Sequence, residues 1–135
     1  MYYLTRIFVV VVLALITFAV YVRLAPSNAE DWHVLPDGPE PGDGRSSAVR
    51  VVPDAGETLT RLDAIIRDTP RTEVLAGSVE EGMITYVTRS ALWGFPDYTT
   101  VARRDGRIVL YGRARFGKAD LGVNAKRLDG WLSQL

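Results

Sequence analysis

At 135 residues, the chain has room for one domain of ordinary size. It contains no cysteine and a single histidine, His33. That excludes disulfides, thiolate chemistry and any metal site built on several histidines or thiolates. Sixteen basic side chains balance 16 acidic ones, which excludes a general nucleic-acid binder. With 47% hydrophobic and 24% charged residues, the bulk of the chain is foldable rather than disordered.

Ile7 to Val22 is an unbroken run in which Thr17 is the only polar residue. Extended from Leu4 to Leu24 it makes about 31 Å of helix, enough for a ~30 Å hydrocarbon core if Arg6 and Arg23 snorkel to the interfaces. Tyr2, Tyr3 and Tyr21 stand where an aromatic belt would lie. Residues 1–25 therefore read as a transmembrane anchor that meets the lipid bilayer through residues 4–24. The alternative is a cleaved signal, because Ser27-Asn28-Ala29 resembles a small-x-small cleavage site. Against cleavage stand the single base ahead of the run and the run's length. Either reading exports the rest of the chain. Arg6 precedes the span, whereas Arg23 lies after it together with Glu30 and Asp31. The positive-inside preference thus favours a cytoplasmic amino terminus.

Residues 26–47 read as a tether. Pro36-Asp37-Gly38-Pro39-Glu40-Pro41-Gly42-Asp43-Gly44 holds only turn formers and acids and is expected to hold the domain off the membrane. The domain, 48–135, opens with a short strand, Ala48–Val52, stopped by Pro53. Glu57–Arg67 comes next as a helix, with Leu59, Leu62, Ile65 and Ile66 on one face and Thr58 as cap. Four strands are expected at Thr72–Val79, Met83–Trp93, Tyr98–Arg104 and Arg107–Phe116. Asp105-Gly106 is the strongest hairpin signal among the turns. A closing helix from Asp120 to Leu132 or beyond carries Leu121, Leu128, Leu132 and Leu135 at helical spacing, with Asp120 as N-cap. The fold class is α+β: a transmembrane helix, then a small antiparallel meander of four to five strands flanked by two helices on one face.

Two blocks of the last third are distinctive: Phe95-Pro96-Asp97-Tyr98-Thr99-Thr100-Val101, and the run from Tyr111-Gly112-Arg113-Ala114-Arg115-Phe116-Gly117-Lys118 through Asp120-Leu121-Gly122-Val123-Asn124 to Lys126-Arg127. Together they resemble the DUF1499 family of bacterial proteins, and Arg23-Leu24-Ala25-Pro26 with Trp32-His33 resembles its membrane-anchored members. Taken with the apolar run and its flanking charges, the resemblance supports a single-pass protein of the bacterial inner membrane with a periplasmic domain. It implies no reaction and no cofactor. Gly112, Ala114 and Ala119 stand where the family usually has serine. Any chemistry those hydroxyls perform elsewhere is closed to this chain.

Charge is uneven. Residues 26–100 carry 6 bases and 13 acids, and residues 101–135 carry 8 bases and 3 acids. On a strand Arg107, Val109, Tyr111, Arg113 and Arg115 share one face, while Ile108, Leu110, Gly112, Ala114 and Phe116 share the other. The candidate ligand-binding residues are Tyr111, Arg113, Arg115, Lys118, Asn124 and Arg127, an anion site in which guanidiniums grip an oxyanion at two points. The competing reading is a solvated face paired with acids. Asp97 and Asp120 are expected in a structural polar cluster joined to Arg113 or Arg115. No catalytic residue, metal site or cofactor is assigned. The expected function is a membrane-anchored binding module for an anionic small molecule or envelope component. The alternatives are a structural protein docking an acidic envelope partner, and a hydrolase using Asp97 with Asp120. An arginine-lined pocket speaks for the first and a flat basic face for the second.

Overall fold

The computed structural model describes all 135 residues. Tyr2–Leu24 is one continuous helix (α1), long and apolar enough to cross a bilayer and exposed over nearly all its length. Ala29–Trp32 is a single helical turn (α2). The remaining elements are β1 (Gly42–Asp43), β2 (Ser47–Pro53), α3 (Thr58–Arg67), β3 (Thr72–Ser78), β4 (Met83–Arg89), β5 (Pro96–Arg104), β6 (Arg107–Ala114) and α4 (Val123–Leu132).

The strands form one sheet in the order β1-β2-β6-β5-β4-β3, with every neighbouring pair antiparallel. β3 to β6 are the expected meander. β2 lies outside it and pairs with β6 from Ser47↔Arg113 to Pro53↔Arg107, so α3 carries the chain across the sheet. The sheet has six strands rather than four or five, the addition being two-residue β1 on the edge of β2.

Strand alternation sorts side chains onto two faces. On one face Ala48, Ile84, Tyr86, Val101, Ile108 and Leu110 pack under Leu59, Leu62 and Ile66 of α3 and Leu128 and Trp131 of α4. The helices' apolar spacing matches this layer, and burial of such side chains contributes about 1.5–3 kcal/mol each. Gly112 lets α4 approach closely, since a Cβ there would stand 3.0 Å from Asn124 Oδ1. Trp131 donates its indole N–H to Thr69 Oγ1 at 2.8 Å, tying α4 to the end of α3.

Several boundaries differ from expectation for identifiable reasons. β4 ends at Arg89 and not Trp93, because Ser90 turns the chain: its Oγ accepts the Phe95 N–H at 3.0 Å, and its own N–H reaches Phe95 O. β6 stops at Ala114 rather than Phe116. Thr58 does not cap α3 in the usual way, because its hydroxyl accepts the upstream Ala55 N–H. α4 starts at Val123, and Leu121 is 91% exposed with φ 54°, outside the apolar stripe. The largest departure lies in residues 26–47. Instead of a free tether, the stretch Ala25–His33 lies against the sheet, and Gly42–Asp43 joins it.

The Asp105-Gly106 turn has φ 51° and 73°, the doubly positive geometry of a type I′ hairpin. No atom lies within 4 Å of a Cβ built on Gly106, so a substitution there meets backbone strain and no clash. Gly106→Val is expected to destabilise the protein by about 1 kcal/mol or more, read as a lower Tm of the full chain in micelles. An unchanged Tm would contradict the turn geometry.

Candidate functional site

The sheet face away from α3 and α4 is where the basic strand points, as alternation predicts. It is not solvated. The polypeptide leaving α1 crosses it as a strap. Trp32 stacks on Tyr98 with ring centroids 3.9 Å apart and planes 12° from parallel. The Trp32 carbonyl accepts hydrogen bonds from Arg113 and from the Thr100 hydroxyl. The Pro26 carbonyl accepts one from Arg115 at 2.8 Å, and Ser27 Oγ shares a 2.6 Å hydrogen bond with the Tyr98 hydroxyl. His33 Nδ1 lies 2.8 Å from Thr85 Oγ1, itself 2.8 Å from Thr100 Oγ1.

Arg113 is only 6% exposed and pairs with no carboxylate. Its donors go to Thr100 Oγ1 at 2.8 Å, Tyr111 O at 3.2 Å and the Trp32 carbonyl. Its Cζ lies 4.5 Å from the Tyr111 ring centroid and 5.5 Å from that of Trp32. Burial pulls the guanidinium down to about 10, against the raising effect of Tyr111 and Tyr98. It stays charged at neutral pH. An arginine suits this position because its flat cation lies on aromatic faces while its edge donates in several directions.

The expected cluster therefore divides between the two faces. Arg113 and Arg115 hold the strap, and Tyr111 lies against the Arg113 guanidinium. Asp97, Asp120, Asn124 and Arg127 gather on the other face, at the start of α4, and the expected bonds to Arg113 or Arg115 are not formed. Arg127 pairs with Asp97 at 3.0 Å and donates to Asn124 Oδ1 at 3.0 Å. Asp120 accepts the N–H groups of Gly122 and Asn124 and the Asn124 amide. It thus satisfies the first turn of α4 from two residues ahead of the cap, Gly122. Lys118 is exposed in the loop after β6 and joins neither group. Burial raises the Asp97 carboxyl above its ordinary 3.8, only partly offset by Arg127. For Asp120, burial works in the same raising direction, but the bonds from Asn124 and Gly122 outweigh it and leave the carboxyl low.

Beside the strap lies an open cavity of about 470 Å³, where α1 meets the β3–β4 end of the sheet. Arg23, Arg71 and Arg89 line it, with Glu73 as the single acid. None of the three arginines is in an ion pair. Each is held by carbonyls: Arg23 donates to Leu92 O at 2.9 Å, Arg71 to Arg89 O at 3.0 Å, and Arg89 to Gly94 O at 2.9 Å. Arg89 also reaches Val22 O, the last turn of α1. Sequence reasoning missed this group. Its members lie 18 to 66 positions apart, and only the hairpin and the docking of α1 bring them together.

Arg113→Lys keeps the charge and loses the planar fork, so stability should fall by about 1–3 kcal/mol. In thermal melts of the full chain in micelles, Arg113 should show no coupling to Asp97 or Asp120, whereas Arg127 and Asp97 should couple by about 1 kcal/mol. Coupling of Arg113 to either aspartate would contradict the division between faces.

The start of α4 also sets a pH dependence. Asp120 lies below 3.8 in the folded protein, so its stabilising contribution is complete above that value and is lost as pH falls through the folded value. Asp97 lies above 3.8, so it takes up its proton first and that protonation favours the folded state. Carboxyl NMR titration should find Asp97 titrating above Asp120, and Arg127→Gln should move Asp97 further up. The reverse order would overturn the assignment.

The family model described as a protein of unknown function (DUF1499) matches residues 33–135. No curated protein and no solved structure matches the chain.

Proposed function

The chain belongs to the DUF1499 family, and on that footing we propose that it is a membrane-anchored module that binds a phosphate-bearing anion at the bilayer surface. The observation that carries the proposal is the cavity in which three guanidiniums converge with one carboxylate and no ion pair. Arginine is the residue suited to hold an oxyanion at two points. The volume of about 470 Å³ falls in the range of small-molecule sites. Arg23 terminates the apolar helix, so the cavity opens at headgroup level.

Retention of α1 as a single-pass anchor is part of this reading. Val22 is fully buried and Ala25 is 7% exposed against the domain, and Arg23 lines the cavity. A chain cut after Ala29 would lose all three. The flanking charges favour a cytoplasmic amino terminus and a periplasmic domain in the inner membrane of a bacterium. Against the assembly reading, Arg113 and Arg115 spend donors on strap carbonyls rather than lying free on a basic face. The hydrolase reading has lost its carboxylate pair, since Asp97 is bound to Arg127 and Asp120 to the start of α4.

The test is native mass spectrometry of the full chain released from nanodiscs of phosphatidylglycerol or phosphatidylcholine, with Arg71→Gln as the variant. The parent should retain the anionic lipid, and the variant should retain several-fold less at unchanged Tm. A parallel melt with inorganic phosphate in uncharged detergent separates the ligand's sources. A higher Tm means that free phosphate suffices, and lipid retention alone means that the headgroup is required. Equal retention by parent and variant, with no phosphate effect, would overturn the proposal.

A further inference from the structure

The last turns of α1 do not stand clear of the domain. Phe18 packs on Phe95 at 6.1 Å between ring centroids, Tyr21 on Phe116 at 6.2 Å, and Phe95 on Phe116 at 6.1 Å. Phe18 lies about 9 Å and Tyr21 about 4–5 Å back along the axis from Leu24, at ~1.5 Å per residue. The two domain phenylalanines therefore sit at the level of the apolar stretch, below the point where α1 ends. The β4–β5 loop continues this rim. The Leu92 carbonyl takes the Arg23 guanidinium at 2.9 Å, so Leu92 stands at Arg23's level, with its side chain 76% exposed and Trp93 38% exposed beside it.

We infer that Leu92, Trp93, Phe95 and Phe116 form a second membrane contact, with the β4–β5 loop sunk into the leaflet that α1 leaves toward the domain. Continuity with α1 singles out lipid as the occupant. A helix whose 21 residues from Leu4 to Leu24 just match a ~30 Å core cannot lift its Phe18–Tyr21 level into water without leaving apolar turns hydrated. Whatever packs on those rings shares their depth. Tryptophan and phenylalanine at the boundary, backed by arginines at headgroup level, are the side chains that such a depth accommodates. The domain is thus seated on the bilayer, the opposite of one held off by a tether. The inference rests on α1 staying in the membrane and not on what the arginine cavity binds.

The absence of cysteine makes a clean test possible. Single nitroxides are placed on the full chain by Leu92→Cys and Trp93→Cys. Glu81→Cys marks the β3–β4 turn at the opposite end of β4, and Leu13→Cys marks the middle of α1. Each is reconstituted in phosphatidylethanolamine and phosphatidylglycerol vesicles, with Tm confirming the fold. Collision rates with oxygen and with an aqueous nickel chelate then report depth. Positions 92 and 93 should be several-fold less accessible to nickel than 81 and relatively enriched in oxygen contact. Nickel access at 92 and 93 equal to that at 81, with 13 shielded, would overturn the inference and leave the anchor standing. Nickel access at 13 as well would overturn the anchor and the inference with it. An unchanged lipid result for Arg71→Gln touches neither.

Discussion

A guanidinium shut away from water costs several kcal/mol unless oxygen acceptors or a counter-charge replace its hydration. Arg113 is buried with no carboxylate, and one of the oxygens that replaces its water belongs to Trp32, outside the sheet. The strap and the arginine are therefore one arrangement. When the strap lifts, Arg113 regains water, so the hydrogen bonds alone give a modest net preference of about 1.5–3 kcal/mol for a charged donor. The balance is tipped by what accompanies them: the Trp32 ring leaves water, stacks on Tyr98 and lies against the cation, with stacking adding about 0.5–1.5 kcal/mol.

This attachment fixes the geometry of the whole chain. Only Pro26 to Asn28 separate the buried Ala25 from the turn that carries Trp32. With Pro26 bonded to Arg115 just past β6, and Ser27 and Trp32 bonded to β5, no free length remains for α1 to swing about the domain. The end of α1 then meets the β4–β5 loop, and Arg89 satisfies Val22 O, one of the carbonyls that every helix end leaves without a partner. A composition of prolines, glycines and acids does give loop over residues 36–41, and the chain rejoins the sheet at Gly42–Asp43. Just ahead of the loop stands Trp32, and one aromatic ring with a partner outweighs the polarity of its neighbours.

The elements legible in the sequence are those whose cause is local. Asp105-Gly106 announces its turn because only certain residues accept two positive φ values, and Leu59, Leu62 and Ile66 announce a helix face through spacing alone. Alternation along Arg107–Ala114 also assigns each side chain to its face correctly. The site is less legible, for the opposite reason. Alternation says that Arg113 faces away from the core but not what covers it, and the cover comes from Trp32, 81 positions earlier. Asp97 and Arg127 both stand out in the sequence, yet sequence proximity points the aspartate to the wrong arginine. Arg113 is nearer to Asp97 along the chain than Arg127 is, but it lies through the sheet from it. The cavity arginines leave no local mark at all. Arg71 and Arg89 stand at the outer ends of a hairpin and Arg23 at the end of a hydrophobic run, ordinary places for exposed cations.

The cost of gathering three cations bears on where such a cavity is useful. In plain solvent, clustered like charges repel and are disfavoured, and here a single acid, Glu73, relieves them. Near an anionic leaflet the sign of the environment reverses, since each basic residue at the surface is attracted by about 1 kcal/mol. In the proposed seat at the bilayer, an arrangement that is a burden on a soluble domain becomes favourable. The same reasoning explains why overall neutrality, which argues against a general nucleic-acid binder, does not argue against a local anion site. Many of the acids lie in turns and in the stretch from residue 30 to 43, and the cations that converge are those that the β3–β4 hairpin and the docking of α1 bring together. Net charge averages over the molecule, while a ligand meets only the part that faces it.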